Sequence, residues 1–143
     1  MRPLLHADIF RNAAFAAALL VLGAIGAAGP ALGDDTASTV RLTVDYGDGI
    51  TKTISNLAWV KSETVLDAMK AATARSHGIA FSYTGNGPMA MLTRIDDVQN
   101  QGGGKRNWQY WVNDAYGDRS FATFELQAQD SVVWRFTADE QGK

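Results

Sequence analysis

Apolar and polar residues alternate near position 40 of the chain. The apolar members of this segment are Val40, Leu42, Val44 and Tyr46. A period of two predicts a strand with one buried face. Gly47-Asp48-Gly49 follows, a turn composition that permits positive φ, and residues 50–57 have the composition of a return strand. The sequence therefore predicts a β-hairpin.

A helical pattern begins after Thr64. The apolar face at helical spacing consists of Val65, Leu66, Met69, Ala72 and Thr73. Thr64 and Asp67 have the spacing of a capping box, in which each side chain bonds to the other residue's backbone N–H. His77-Gly78 is typical of a helix end. We therefore expect one helix that begins at Thr64 and ends near His77.

Strand patterns return in the second half of the chain. The predicted strands cover residues 79–83, 89–95, 107–113, 121–127 and 131–137. A hairpin, one helix and then several strands indicate an α+β domain in which the helix packs on a mostly antiparallel sheet. We interpret this order as β-grasp-like, with the sheet curled over the helix.

The first third of the chain has a different pattern. Arg2 and Arg11 precede an uncharged apolar run over residues 13–28, and the small residues Ala31 and Gly33 come next. This order is typical of a Sec-type secretory signal peptide, and the run is shorter than the ~20 residues of a membrane span. We expect a signal peptide over residues 1–33, cleavage before Asp34, and a single secreted or periplasmic domain over residues 34–143 with no membrane attachment.

The composition narrows the function classes. The 143 residues include 13 basic and 15 acidic side chains and no cysteine. Removal of the predicted signal peptide takes away Arg2, Arg11 and Asp8 and leaves 11 basic and 14 acidic residues, a net charge of −3. This charge argues against nucleic acid as a partner. Without cysteine there are no disulfides, thiol nucleophiles or thiolate metal sites.

Few residues have the chemistry of catalysis. His77 is the one histidine after position 33, whereas a zinc site needs about three nitrogen, oxygen or sulfur ligands and a Ser–His–Asp triad needs a nearby nucleophile. The loop Gly102–Lys105 lacks the spacing of a phosphate-binding loop. We expect no enzyme and no metal site. A small hydrolase that uses Asp96 or Asp118 stays open as an alternative.

Four segments in order resemble a known family. They are the opening strand, Thr-Val-Leu-Asp-Ala-Met at residues 64–69, Trp-Gln-Tyr-Trp-Val-Asn at 108–113 and Asp-Ser-Val-Val-Trp-Arg-Phe at 130–136. Together they resemble small bacterial secreted domains related to the C-terminal domain of transcobalamin and intrinsic factor. The resemblance covers about residues 39–137. The family usually has glycine at the positions of Asp114 and Gln129.

The resemblance implies a fold and a ligand class. The family's fold is β-grasp-like, akin to soluble-ligand-binding β-grasp domains. In transcobalamin-type proteins this domain closes over a corrinoid that a helical barrel holds, and this chain is too short to contain that barrel. The resemblance therefore implies a corrinoid (cobalamin) as ligand, and analogy with related β-grasp domains gives a glycan as the second ligand class. We expect no other cofactor.

Alternation along residues 107–113 separates two faces. Trp108, Tyr110 and Val112 belong to the core face, as does Trp134 on the last strand, whereas Gln109, Trp111 and Asn113 share the other face. An indole among amides is a platform for a flat or sugar ligand. In the alternative interpretation Trp111 covers the second face of the sheet or a loop. The adjoining loop adds two rim aromatics, and the predicted ligand-binding residues are Gln109, Trp111, Asn113, Tyr116 and Phe121.

These observations predict an exported, non-catalytic ligand-binding module. The alternative is an interaction module that binds a cell-surface protein through an exposed sheet edge and takes no small-molecule ligand.

Overall fold

The computed structural model describes residues 38–138. The predicted signal peptide and its cleavage before Asp34 lie outside the described residues. The strands are β1 (Thr39–Asp45), β2 (Thr51–Ala58), β3 (Phe81–Thr84), β4 (Met91–Ile95), β5 (Val98–Gln99), β6 (Asn107–Val112), β7 (Ala115–Tyr116) and β8 (Ser131–Thr137). The helix α1 covers Val65–Thr73, and a 3₁₀ turn covers Gly87–Met89.

The described strands form two sheets. The larger sheet has the order β2-β1-β8-β6-β7, and the smaller has the order β3-β4-β5. Strands β1 and β8 pair in parallel, with Val44 opposite Trp134, and the other pairs are antiparallel. The first and last strands therefore lie side by side within the larger sheet. This confirms an α+β fold of the predicted β-grasp-like kind, with one helix and a mostly antiparallel sheet pair.

The first hairpin is confirmed, and its turn depends on glycine. Gly47 and Gly49 both have positive φ, +70° and +92°. A Cβ on Gly47 would lie 2.4 Å from the carbonyl oxygen of Phe136 and would overlap the guanidinium of Arg106. Arg106 donates to the carbonyl oxygens of Gly47 at 2.9 Å and Phe136 at 2.8 Å. It thereby ties the hairpin turn to the last strand.

The start of α1 is confirmed, but the helix ends earlier than predicted. The amide of Asp67 donates to Oγ1 of Thr64 at 3.3 Å, and the amide of Thr64 donates to Oδ2 of Asp67 at 3.1 Å. The helix ends at Thr73 rather than near His77. The amides of residues 74 and 75 bond to carbonyls three residues back, which tightens the last turn and closes the helix.

The predicted strand over residues 121–127 is wrong. The amides of Thr123 and Phe124 donate to the carbonyl oxygen of Ser120 at 2.9 and 3.1 Å, and the Thr123 hydroxyl donates to the same oxygen. Hydroxyl-bearing residues stabilise turns in this way. The segment is therefore a turn, and its one ladder contact is the isolated bridge between Thr64 and Glu125.

Asp114 and Gln129 stand at positions where the resembled family usually has glycine. Both have the positive φ angle that glycine adopts most easily. Asp114 has φ of +66° and Gln129 has φ of +74°. This region is unfavourable for most L-residues, and aspartate tolerates it better than glutamine does. At Gln129 the amide donates to the carbonyl oxygen of Thr39 at 2.7 Å. The turn before β8 is therefore kept in shape by its bond to β1.

Candidate functional site

The core face of β6 is confirmed. Trp108 and Tyr110 are each 6% exposed, Val112 is 5% exposed, and Trp134 on β8 is 2% exposed. Tyr110 lies opposite Trp134 in the antiparallel pair of β6 and β8. Their ring centroids are 5.1 Å apart. The predicted aromatic core therefore lies across the two strands.

The other face of β6 does not present Trp111 as an open platform. Trp111 is 8% exposed. The guanidinium carbon of Arg135 lies 4.7 Å from its ring centroid, and Tyr116 packs against it edge-on with ring centroids 5.4 Å apart. This burial agrees with the alternative interpretation, in which Trp111 covers the second face of the sheet.

The amides on this face bond within the fold. Nε2 of Gln109 donates to the carbonyl oxygen of Ala138 at 3.3 Å. Asn113 donates from Nδ2 to Oδ1 of Asp130 at 2.7 Å, and its own Oδ1 accepts from the amide of Ser131 at 2.9 Å. Asn113 therefore uses both of its amide ends to fasten the start of β8.

Tyr116 and Phe121 lie at a cavity instead. A cavity of about 150 Å³ lies between β4 and β6. We call it the aromatic cleft, and its principal lining residues are Met91, Leu92, Tyr110, Tyr116, Phe121 and Trp134. Tyr116 is 38% exposed at its rim, whereas Phe121 is 2% exposed in its wall. Of the five predicted residues, the structure brings Gln109, Tyr116 and Phe121 to this cleft.

Aromatic contacts connect the cleft to the surface. Phe121 packs edge-on against Trp134, with ring centroids 5.5 Å apart, and edge-on against Tyr83 at 5.8 Å. Tyr83 is 39% exposed. Edge-to-face pairs fix ring orientation more tightly than apolar contact alone. The wall of the cleft is therefore a fixed aromatic surface that reaches solvent.

A close backbone approach shapes the β7 side of the cleft. A Cβ on Gly117 would lie 2.2 Å from the ring of Tyr110. The amide of Gly117 donates to the carbonyl oxygen of Tyr110 at 2.8 Å, and the Tyr110 hydroxyl donates to the carbonyl oxygen of Arg119 at 2.7 Å. Burial raises the pKa of Tyr110, so this hydroxyl stays protonated and remains a donor.

Sequence reasoning missed Met91 and took Trp134 as core alone. Met91 is 61% exposed, between Ala90 and Leu92, which are 7% and 3% exposed. Met91 also lines a second cavity of about 480 Å³, together with Gly102, Gly103 and Trp108. An apolar residue at an outward strand position is the signal that could have identified this rim.

The charges near the cleft are already paired. Arg119 lines the cleft and contacts Oδ1 of Asp118 at 2.8 Å, with both side chains exposed. The hydrogen bond from Arg119 holds the pKa of Asp118 below its ordinary value. A carboxyl group with a lowered pKa is ionised at neutral pH, which suits an ion pair and not a general acid.

The other carboxylate considered for hydrolysis, Asp96, lies in a polar network between the two sheets. Nζ of Lys52 lies 2.8 Å from Oδ2 of Asp96, the Tyr46 hydroxyl donates to the same oxygen, and the Ala80 amide donates to Oδ1 at 2.8 Å. Burial alone would raise the pKa of Asp96, but these hydrogen bonds outweigh it and lower the pKa. Burial and the bond to Asp96 raise the pKa of Tyr46.

Residues 38–138 hold neither a metal-ligand cluster nor a membrane-crossing helix. No group of three or more histidine, cysteine, aspartate or glutamate side chains in this range could hold a metal ion. In the same range, no helix has the length and apolar character that a membrane crossing requires.

Comparison with solved structures identifies a protein of similar fold. It is described as "a putative metal binding protein from Ruminococcus gnavus", and it superposes with a TM-score of 0.55 at 11% identity. The match covers 70% of this chain and 96% of that protein. At this identity the similarity concerns the fold. No curated protein matches the sequence.

Comparison with family profiles assigns the chain. Residues 62–138 match the family described as "Domain of unknown function (DUF4430)". The match extends from the residues just before α1 to the end of β8 and includes both walls of the aromatic cleft. It covers more than half of the sequence, and the chain therefore belongs to the DUF4430 family.

Proposed function

We propose that this chain is an exported, non-catalytic module that binds a small organic ligand at the aromatic cleft. The observation that carries the proposal is the exposure of large apolar side chains around one cavity. Met91 and Tyr116 line the cleft at 61% and 38% exposure, and Tyr83 packs on its wall at 39%. Apolar side chains grouped around a concave surface are typical of ligand sites.

The polar groups of the cleft support binding rather than catalysis. Arg119 is the one charged residue among those that line it, and it pairs with Asp118. The hydroxyl of Ser120 donates to the carbonyl oxygen of Ala90 at 2.9 Å, so it has no base as its partner. Nucleophilic catalysis requires a hydroxyl within hydrogen-bond reach of a base. These lining residues instead offer aromatic faces and fixed hydrogen bonds.

A corrinoid is the ligand that we propose, on the strength of the family resemblance. A cavity of about 150 Å³ holds a side arm or an edge of so large a molecule and not the whole. This domain would therefore cover one side of the ligand, and a second surface would hold the other side.

Titration with hydroxocobalamin tests this proposal. We expect a saturable change in its visible absorbance and a higher Tm for the purified chain at near-millimolar ligand. Tyr116→Ala should weaken binding about tenfold, since aromatic anchors dominate binding energy. Ile50→Ala is the matched control, because Ile50 is 62% exposed in the hairpin turn and does not line the cleft. No absorbance or thermal change would exclude the corrinoid, and a panel of glycans would then test the second ligand class.

Binding to a cell-surface protein is the second candidate, favoured by one observation. Strand β2 is an outer strand of the larger sheet and is eight residues long. An edge strand of this length is a template for strand addition. Thr53→Pro would block such pairing at the edge, whereas Tyr116→Ala would not. Loss of partner capture with Thr53→Pro alone would favour this candidate over the cleft.

A further inference from the structure

The wall of the aromatic cleft contains a hydrogen-bond donor without a partner. Trp134 is 2% exposed, and its Nε1 is buried without a hydrogen-bond partner among the described residues. Two other indoles in the same domain are paired. Nε1 of Trp108 donates to the carbonyl oxygen of Val98 at 2.8 Å, and Nε1 of Trp59 donates to that of Leu126 at 2.9 Å. Buried donors are nearly always paired, so an unpaired one in a cavity wall points to a missing acceptor.

The groups around Trp134 are committed elsewhere. Its two aromatic neighbours are Tyr110 and Phe121, at centroid distances of 5.1 and 5.5 Å. The Tyr110 hydroxyl donates to the carbonyl oxygen of Arg119, and the Ser120 hydroxyl donates to that of Ala90. The carbonyl oxygens of Arg119 and Ala90 therefore already accept hydrogen bonds from other donors.

We infer that the aromatic cleft recognises a carbonyl-type oxygen on its ligand, which accepts the hydrogen bond of the Trp134 indole N–H. This inference rests on the proposed function, in which the cleft is the ligand site. The matching ligand group is small, flat and largely apolar with one ketone or carboxamide oxygen. A cavity of about 150 Å³ suits a group of that size.

The ligand must move one rim side chain to reach the N–H, because Nε1 has less than 1 Å² of accessible surface. Met91 is the rim residue that can move at the least cost. It is 61% exposed, unbranched and adaptable in packing. The other buried unpaired atom among the described residues is Oε1 of Gln109, which also lines the cleft. It is an acceptor, so it cannot bind the carbonyl-type oxygen that the Trp134 donor requires.

Two aromatic probes with the same carbon skeleton test the inference. Acetophenone carries a carbonyl oxygen, and ethylbenzene carries none. Each is titrated into the ¹⁵N-labelled purified chain, and the four indole N–H resonances are followed by NMR. We expect acetophenone to shift the Trp134 resonance downfield and to bind about fivefold more tightly than ethylbenzene, the factor that one net hydrogen bond supplies. The resonance of Trp59, whose donor is paired and whose side chain does not line the cleft, should stay in place.

Trp134→Phe assigns the resonance and should remove the preference for acetophenone, whereas Trp111→Phe should leave it intact. Because a core variant can fail to fold, triple-resonance assignment of the wild type provides the same identification. Equal affinity for both probes, without a downfield shift, overturns the inference and leaves the cleft as an apolar ligand site. Binding of neither probe overturns it as well, and hydroxocobalamin binding then decides the proposed function separately.

Discussion

The two sheets of this domain differ in what they bury and what they expose. Four strands of the larger sheet are six to eight residues long, and they bury most of the aromatic and aliphatic core. The strands of the smaller sheet are two to five residues long. Of the large apolar side chains that are exposed, Tyr83 and Met91 belong to its strands. The larger sheet thus contributes most of the buried core, and the smaller sheet supplies one wall of the cleft.

A matched pair of leucines measures this difference. Leu42 on β1 is fully buried, and Leu92 on β4 is 3% exposed beside the cleft. We expect Leu42→Ala to lower the free energy of unfolding by about 4 kcal/mol and Leu92→Ala by about 2 kcal/mol, because the cost depends on how far the surroundings can collapse. Urea denaturation measures both changes. Equal losses would mean that the small sheet is packed as tightly as the large one.

Substitution of the two glycines in the β1–β2 turn of the larger sheet should give the next largest loss of stability. Gly47 and Gly49 share positive φ, but of the two only Gly47 has neighbouring atoms within 4 Å of the place that a Cβ would take. Gly47→Ala should destabilise the fold by about 3 kcal/mol, through backbone strain and displacement of Arg106, and Gly49→Ala by about 1 kcal/mol, through strain alone. Thermal unfolding compares the two. A Gly49→Ala loss as large as that of Gly47→Ala would show that Arg106 adds nothing.

The larger sheet is also the part that its sequence predicts best. Val40, Leu42 and Val44 alternate with polar residues, and a one-sided sheet buries them by that same period. Beside the smaller sheet, the apolar pattern predicts the wrong secondary structure. Residues 121–127 contain enough apolar positions for a strand, yet Ser120 binds the following amides and forms a turn. Phe121 and Leu126 are both buried, and a spacing of five would place them on opposite faces of a strand.

The cleft could be predicted only in part, for a related reason. Local sequence can indicate Tyr116 and Phe121, because they are aromatic residues in a loop beside a strand end. Met91 lies on β4 and Trp134 lies on β8, far apart in sequence. They line one cavity because β4 packs against β6, the strand that pairs with β8. Strand alternation states which face a side chain occupies, not which other element that face meets. Trp111 illustrates this limit, because Arg135 of β8 covers its ring.

Disruption of the hydrogen-bond network between the two sheets should lower the free energy of unfolding by an intermediate amount. Asp96 accepts hydrogen bonds from Lys52, Tyr46 and Ala80 and joins the hairpin to the smaller sheet. Asp96→Asn should lower the free energy of unfolding by about 1–2 kcal/mol, because hydrogen bonds to a partly buried charge are lost. Lys52→Met, alone and combined with Asp96→Asn, gives the coupling between the two side chains. Additive losses would contradict a direct Lys52–Asp96 contribution.

The stability that Asp96→Asn loses should depend on pH in one direction. The folded-state pKa of Asp96 is lowered, so its contribution is present above the unfolded value of about 4 and disappears as pH falls through the folded value. We therefore expect the wild type and Asp96→Asn to differ in stability at pH 7 and to converge in acid. Denaturation midpoints from pH 7 down to pH 2 measure the convergence. A constant difference over this range would exclude the carboxylate as its source.

The smallest effect on stability should come from Met91→Ala. Met91 is 61% exposed, and truncation of an exposed side chain usually changes the free energy of unfolding by less than about 0.5 kcal/mol. Leu92→Ala should lower the free energy of unfolding by about 2 kcal/mol, although Leu92 and Met91 are adjacent on one strand. Urea denaturation and hydroxocobalamin titration of both variants separate the two roles. Because Met91 lines the rim of the cleft, its variant should bind more weakly while it unfolds like the wild type. If Met91→Ala instead lost stability as Leu92→Ala does, the rim would be part of the core, and the exposed methionine would no longer distinguish the surface of the smaller sheet from that of the larger one.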